Sequence, residues 1–349
     1  MKVVQLGPYP PPHGGVQINL VAVRDYLREH GHSCAVINIT RHRKQEAGEV
    51  YYPKNAVELI WHLFRKRYDI VHLHVGGRIP LRVLALAFSA TAVPWAKAIL
   101  TLHSGGYPSF QEARQLNRRS LLAFTLRRFD GVIGVNREMM DFFWRLGVSK
   151  SRTRLIQPQS VARTKMSDRL EEPLASFFKQ HDRVLVSVCG LEPEYDVERQ
   201  IEAMAHILRI FPNSGLAIIG SGSLEAGLRR RIQATPYHRH LLLCGDVAHD
   251  VTLRAIAEGD LLLRTTLYDG DAISVREALY LGTPVIATDN GMRPDGIDLI
   301  PIGDTGALVE AIERRLHLGK TQQPYVPPDD ANLVEVLELY SQARGLRSV

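Results

Sequence analysis

Cysteine is scarce in this chain. Cys34, Cys189 and Cys244 are an odd number without metal-ligand spacing, which excludes both a disulfide framework and a structural zinc site. A reducing, cytoplasmic setting fits that usage. Aromatic residues make up only 7% of the chain. No apolar run reaches the ~20 residues that span a bilayer; the longest, residues 83–96, covers 14 positions and contains Pro94 and Trp95. An integral membrane protein is therefore not expected. The opening MKVVQLGPYPPPHGG has too short an apolar stretch, and no cleavage-like end, to predict a signal peptide. Neither half carries the GxGxxG dinucleotide fingerprint, which argues against a nicotinamide-dependent oxidoreductase.

What is present is enough for two cores. A chain of 349 residues, 45% apolar and 23% charged, is longer than one core comfortably serves. Its formal charge of +6 conceals a division. Residues 1–165 hold 25 Lys and Arg against 10 Asp and Glu, a net +15, whereas residues 166–349 hold 18 against 27, a net −9. The basic half suits an anionic partner: substrate, membrane surface or nucleic acid. No nucleic-acid recognition motif or aromatic-interleaved platform accompanies the charge, so nucleic acid is set aside.

Strands alternate with helices along both halves. Residues 3–6 form an apolar run stopped by Gly7, and after Gly14-Gly15 the residues Val16, Leu20, Val23 and Leu27 recur at helical spacing. Short apolar runs follow at 33–39, 70–74, 98–103 and 131–135. The same grammar restarts at 184–189 and continues at 216–219, 241–243, 261–263 and 284–287. Repeated βα units predict parallel sheets covered by helices, hence α/β with two doubly wound, Rossmann-like domains. Ligands in such folds bind beyond the carboxyl ends of the strands, so a central cleft between two facing domains is the expected site. Residues 1–165 and 166–330 are the expected domains, and the charge-rich stretch 161–180 reads as the linker. Leu333, Val336, Leu337 and Tyr340 give residues 331–349 an apolar helical stripe that must dock elsewhere.

The densest segment is LLLRTTLYDGDAISVREALYLGTPVIATDN at 261–290. A strand ends at Arg264, a polar loop carries Asp269, and a helix opens near Ile273 with Glu277 in its first turns. Backbone N–H groups of Ile273 and Ser274 at a helix start suit a pyrophosphate, and a carboxylate at Glu277 suits the vicinal hydroxyls of a ribose. The plainer reading is that Asp271 or Ser274 caps the helix and Glu277 serves a charged face. Gly14 and Gly15, between first strand and first helix, either contact an anion or make a simple tight turn. His13 beside them stays undecided. His72 and His74, alternating with apolar residues, read as structural.

These residues resemble the family 4 glycosyltransferases. The resemblance is carried by the D-x7-E of Asp269 and Glu277 followed by ALYLGTPVIA, and by DIVHLH at 69–74, TLHSGG at 101–106 and GVIGVNREM at 131–139. GSGSLE at 220–225 and GDV at 245–247 complete the series. The resemblance implies the GT-B fold, two Rossmann-like domains facing a cleft, with the last helix crossing back onto the N-terminal domain. It implies retaining transfer of a sugar from a nucleotide-diphosphate sugar to a glycan or lipid-linked acceptor in surface polysaccharide biosynthesis. It also implies that no cofactor is needed beyond that co-substrate.

Carried over position by position, the resemblance gives Glu277 the donor ribose, Asp269 a hydroxyl of the transferred sugar, and His103 a place near the reacting sugar and acceptor. Gly14, Gly15, Gly190, Gly220, Ala272, Ile273 and Ser274 would approach the donor, with Asp246 and Val247 by the base. One departure matters. The Arg and Lys that clamp the diphosphate in this family are absent from CGLEPEYDVE at 189–198, where Glu192, Glu194 and Asp196 make the loop acidic. Arg264, Arg276 and Arg293 are the expected substitutes. Ala272 also stands where the family prefers glycine. The missing clamp keeps open a non-catalytic nucleotide-binding protein and a sugar-nucleotide epimerase of the same shape. Asp269-Gly270-Asp271 also spells a metal-binding D-x-D. That motif belongs to a single-domain architecture, so no metal site is expected. Basic clusters at 41–44, 65–67, 118–119 and 127–128 beside Trp61, Phe64, Leu122 and Phe124 suggest peripheral attachment to an anionic membrane; the plainer reading is a solvated arginine-rich face.

Overall fold

A computed structural model describes residues 1–40, 48–157, 165–270, 272–291, 293–319 and 330–345. They divide into two compact units.

The first unit is built on a seven-stranded, all-parallel sheet. Its strands are β1 (Lys2–Gly7), β2 (Ser33–Asn38), β3 (Val50–Tyr51), β4 (Ile70–Val75), β5 (Lys97–Leu102), β6 (Gly131–Gly134) and β7 (Thr153–Leu155), in the order β3-β2-β1-β4-β5-β6-β7. Its helices are α1 (Gly15–Glu29), α2 (Ala56–Arg65), α3 (Leu81–Ala90), α4 (Gln111–Arg114), α5 (Leu121–Leu126) and α6 (Arg137–Arg145). β1 pairs with β2 on one side and β4 on the other, so the strand order reverses beside β1. That switch point lies where Gly7 ends β1 and Gly15 starts α1.

The second unit repeats the plan. Strands β8 (Arg183–Val188), β9 (Ser214–Ile219), β10 (Leu241–Gly245), β11 (Leu261–Arg264), β12 (Val285–Thr288) and β13 (Asp298–Ile300) run parallel in the order β10-β9-β8-β11-β12-β13. Helices α7 (Leu174–Gln180), α8 (Val197–Ile210), α9 (Glu225–Ala234), α10 (His249–Glu258), α11 (Ile273–Leu281) and α12 (Thr305–Leu318) accompany them. The order again reverses, between β8 and β11, and the segment 261–290 springs from that point. Two Rossmann-like α/β units are thus the observed fold class.

The last helix, α13 (Ala331–Ala343), belongs to the first unit. Leu333, Val336, Leu339 and Tyr340 lie on one face and are buried against Val3, Ile70, Ile99 and Ile133 on the underside of the first sheet. At about 2 kcal/mol for each large apolar side chain buried, that stripe is a substantial anchor. Gly131 lets the helix approach: a Cβ there would sit 2.8 Å from Ile99 Cδ1 and 3.1 Å from Leu339 Cδ1.

The linker reading of 161–180 is corrected in part. Residues 161–164 lie outside the described residues, but 174–180 form α7, and Leu170, Leu174 and Phe177 are buried against β8 and β9. Their 4- and 3-residue spacing is helical, masked in the sequence by the charges of Arg169, Glu171 and Glu172.

Candidate functional site

In the second unit the sequence-predicted residues gather at the carboxyl ends of β8, β11 and β12. β11 ends in Arg264, whose Nη1 donates to the Val188 carbonyl at the end of β8, 2.9 Å away. Its Nε donates to Asp269 Oδ2 at 2.9 Å, and Arg293 Nη1 donates to the same oxygen at 3.1 Å. Arg293 is itself held by the Thr288 carbonyl and the Thr266 hydroxyl. Asp269 Oδ1 accepts from the Gly270 amide at 2.8 Å. Burial would raise the Asp269 pKa, but the charges of Arg264 and Arg293 outweigh it and hold the carboxyl below its usual range. Two buried guanidinium groups thus converge on one carboxylate oxygen.

Two of the three expected phosphate cations are therefore already paired with Asp269. Their expected role at the diphosphate and the expected role of Asp269 at a hydroxyl of the transferred sugar meet in one cluster. Arg276, on α11, is half-buried and has partners of its own. The acidic loop is also less anionic than its sequence reads. Asp196, with a left-handed backbone (φ 45°), is paired with Arg199 at 2.5 Å, and Glu192 accepts from the Ser223 amide at 2.8 Å and from its hydroxyl.

Helix α11 begins immediately beyond this cluster. Ala272 is its N-cap and offers no side-chain cap; Ser274 is buried, its hydroxyl 3.4 Å from the Val188 carbonyl. The amides of Ile273 and Ser274 precede the first intrahelical bonds and have no acceptor among the described residues, a position suited to an anion. Glu277 follows one turn later and is 2% exposed. Its Oε1 lies 2.6 Å from His249 Nε2 at the start of α10, and its Oε2 has no partner among the described residues. His249 was not singled out by sequence; only its place four residues after Gly245 hints at it.

Gly190 and Gly220 lie on adjoining loops. Cys189 and Leu191 donate to Ile219 and Ser221 at 3.0 Å, and Gly220 pairs with Gly245. Gly220 has φ +142°, and a Cβ there would stand 1.8 Å from the Cys189 carbonyl oxygen. The GSG segment is thus required by loop packing. Asp246 is exposed and Val247 half-buried just after β10. Asp271 lies outside the described residues, so the D-x-D spacing has no geometry here. Among the described residues no three His, Cys, Asp or Glu side chains gather as a metal site would require.

In the first unit Gly15 opens α1, with no acidic side chain in the first turn to compete with an anion; Gly14, just before it, is counted with the second unit. His103 follows β5, its amide bonded to the Val75 carbonyl. Its Nε2 lies 3.0 Å from His74 Nδ1. Behind it His72, His74, Gln5, Thr101 and Tyr340 form a buried polar chain. Burial pushes His72 and His103 down to about 3 and His74 well below the ordinary value, so all three are neutral near pH 7. His72 and His74 are thus part of the buried hydrogen-bonded surroundings of His103. No helix among the described residues is long and apolar enough to cross a membrane.

Residues 12–159 match the family model "Glycosyl transferase 4-like domain" and residues 168–323 match "Glycosyl transferases group 1", together most of the chain. A GDP-mannose-dependent monoacylated alpha-(1-6)-phosphatidylinositol monomannoside mannosyltransferase of Corynebacterium glutamicum is 21% identical over 321 residues, 83% of this chain and 80% of that protein. An alpha-D-kanosaminyltransferase of Streptomyces kanamyceticus is 27% identical over 142 residues, 39% of this chain and 37% of its own length. Among solved structures, Anabaena HepE in complex with UDP-glucose superposes with a TM-score of 0.69 at 15% identity, over 99% of this chain and 94% of that one. The catalytic domain of starch synthase IV from Arabidopsis thaliana, bound to ADP and acarbose, gives 0.68 at 13% identity and 99% coverage of both chains.

Proposed function

The chain belongs to the family 4 glycosyltransferases of GT-B fold, and on that premise we propose that it moves a sugar, with retention, from a nucleotide-diphosphate sugar to a hydroxyl of a glycan or lipid-linked acceptor. The observation that carries the reading is Glu277: a buried carboxylate one turn into α11, held through Oε1 by His249 and with Oε2 unpartnered among the described residues. A buried anion with an open oxygen is costly unless a donor completes it, and the two hydroxyls of a ribose do so. The amides of Ile273 and Ser274 and the guanidinium groups of Arg264 and Arg293 take the diphosphate, in place of the missing Arg/Lys pair.

The chemistry then asks little covalent work of the protein. The acceptor oxygen bonds to the anomeric carbon as the bond from that carbon to the phosphate oxygen breaks, and the acceptor proton passes to a phosphate oxygen. The protein positions both substrates and stabilises the departing diphosphate. Asp269 Oδ2 is taken by two guanidinium groups and, among the described residues, Oδ1 keeps one open lone pair beside the Gly270 amide, a site that suits a sugar hydroxyl and supports transfer without a metal ion. His103 lies near the reacting sugar and acceptor in this reading, and Gly14, Gly15, Gly190, Gly220, Asp246 and Val247 border the donor.

A lipid-linked acceptor and a role in surface polysaccharide assembly at the cytoplasmic face of a membrane are supported by the first unit's surface. Trp61, Phe88, Leu121 and Phe124 are exposed; Arg65 stands 4.4 Å from the Trp61 ring and Arg128 5.0 Å from the Phe88 ring. The relatives named as a GDP-mannose-dependent mannosyltransferase and a kanosaminyltransferase are consistent with a hexose donor. The test is incubation with a panel of nucleotide sugars and membrane lipid extract in EDTA, followed by NMR of the product. Chelator-resistant transfer with the donor's anomeric configuration is the expected result; an inverted product or strict metal dependence contradicts the reading.

A further inference from the structure

We propose that Tyr340, on the terminal helix α13, is a positioning residue that sets the tautomer of His103 through Gln5 and His74. The inference rests on the reading of His103 as a site residue. The chain of contacts is continuous and crosses the middle of the first sheet. Gln5 Nε2 on β1 donates to Tyr340 Oη at 3.2 Å, which turns the Gln5 carbonyl oxygen toward His74 Nε2 on β4. A carbonyl accepts only, so that nitrogen of His74 carries the proton. His74 is neutral and its Nδ1 is left with a lone pair, which accepts from His103 Nε2 at 3.0 Å. His103 is thereby the Nε2–H tautomer, and its Nδ1, without a hydrogen-bond partner among the described residues, is an acceptor. On its other side the Tyr340 hydroxyl donates to His72 Nδ1 at 2.6 Å, and His72 Nε2 donates to the Thr101 hydroxyl at 2.7 Å.

Tyr340 is the member that gives the chain its direction. Its hydroxyl is fully buried and touches both Gln5 and His72, so both histidine branches start from one O–H. Without that oxygen the Gln5 amide keeps only the Cys34 thiol beside it, a weak partner, to fix which end faces His74. An amide turned over would offer N–H to His74, and the protons on His74 and His103 would move to the other ring nitrogens. The same helix also walls the ring: Leu333 and Val336, with His72, Thr101 and His103, line a cavity of about 10 Å³. Docking of the final helix is thus tied to the protonation pattern of a residue more than 200 positions upstream.

The test is long-range 1H–15N NMR of histidine-labelled protein, wild type against Tyr340→Phe, with Gln5→Met as the second variant should the first not fold. Wild type should show His103 as a single Nε2–H tautomer, and each variant a mixture or the opposite tautomer with its fold retained. An unchanged His103 pattern in a folded variant overturns the proposal, as does a wild type in the Nδ1–H form. Nucleoside diphosphate release from UDP-glucose and GDP-mannose is measured alongside. The positioning variants should lower kcat about tenfold at unchanged donor KM. A fully active His103→Ala would instead sink the site reading of His103 while leaving the NMR result standing.

Discussion

His249 Nε2 lies 2.6 Å from Glu277 Oε1, joining the first turn of α10 to the second turn of α11. The contact holds a nearly inaccessible carboxylate in one rotamer, and a preorganised acceptor loses less entropy when ligand arrives. His249→Ala should therefore weaken nucleotide binding less than loss of the carboxylate itself, by about 1 kcal/mol. Calorimetric titration checks this; an equal loss for both variants would show that the histidine meets the ligand directly.

Asp269 is the counter-ion of two buried cations. Asp269→Asn removes the carboxylate charge that Arg264 and Arg293 share and should cost on the order of 3 to 5 kcal/mol of stability. Urea unfolding measures it. Because the folded-state pKa of Asp269 is depressed, its contribution is complete above the unfolded value of ~3.9 and is lost as pH falls through the folded value. A loss below 1 kcal/mol would mean that solvent already shields the cluster.

The buried histidines set a second acid dependence. His72 and His103 sit at about 3 and His74 well below 6.5, so the unfolded chain binds more protons than the folded one below that value. Stability is whole above pH 6.5 and declines as pH drops from 6.5 toward 3, by up to ~1.4 kcal/mol per pH unit for each ring. The urea midpoint should fall between pH 7 and pH 5. A flat midpoint across that window would contradict the buried, neutral network.

Two glycines should respond oppositely to alanine. At Gly220 a methyl meets the Cys189 carbonyl at 1.8 Å with φ +142°, so Gly220→Ala should destabilise by at least ~2 kcal/mol. At Gly227, inside α9 with nothing within 4 Å, alanine should stabilise by about 0.5 to 1 kcal/mol. Thermal melts of the pair read out both signs.

The apolar, arginine-rich face of α2, α3 and α5 should bind anionic vesicles at low salt. Replacing Trp61 and Phe124 together by serine should abolish co-sedimentation without lowering the melting temperature, since both are exposed. Binding that persists in the double variant would place membrane contact elsewhere.

What the sequence made legible was contiguous. Asp269, Ile273, Ser274 and Glu277 lie on one loop and helix, so their spacing alone places them together, and the strand-helix alternation gives the two α/β units. What it hid was long-range pairing. Arg264 and Arg293 were visible as cations, yet their convergence on Asp269 depends on β11 and β12 lying side by side. Gln5 and Tyr340 are 335 residues apart and meet only because α13 docks under β1. Strands β3, β7 and β13, two or three residues long, are too short for any periodicity to register.

If Glu277 holds the nucleotide-diphosphate sugar in the second unit, calorimetric titration with UDP, GDP, dTDP and ADP and their sugars, in EDTA, should show selective, metal-independent binding of one base by the wild type. Glu277→Ala should bind about 2 kcal/mol more weakly, roughly a thirtyfold rise in Kd. No binding of any nucleotide, or equal affinity in the variant, would contradict it.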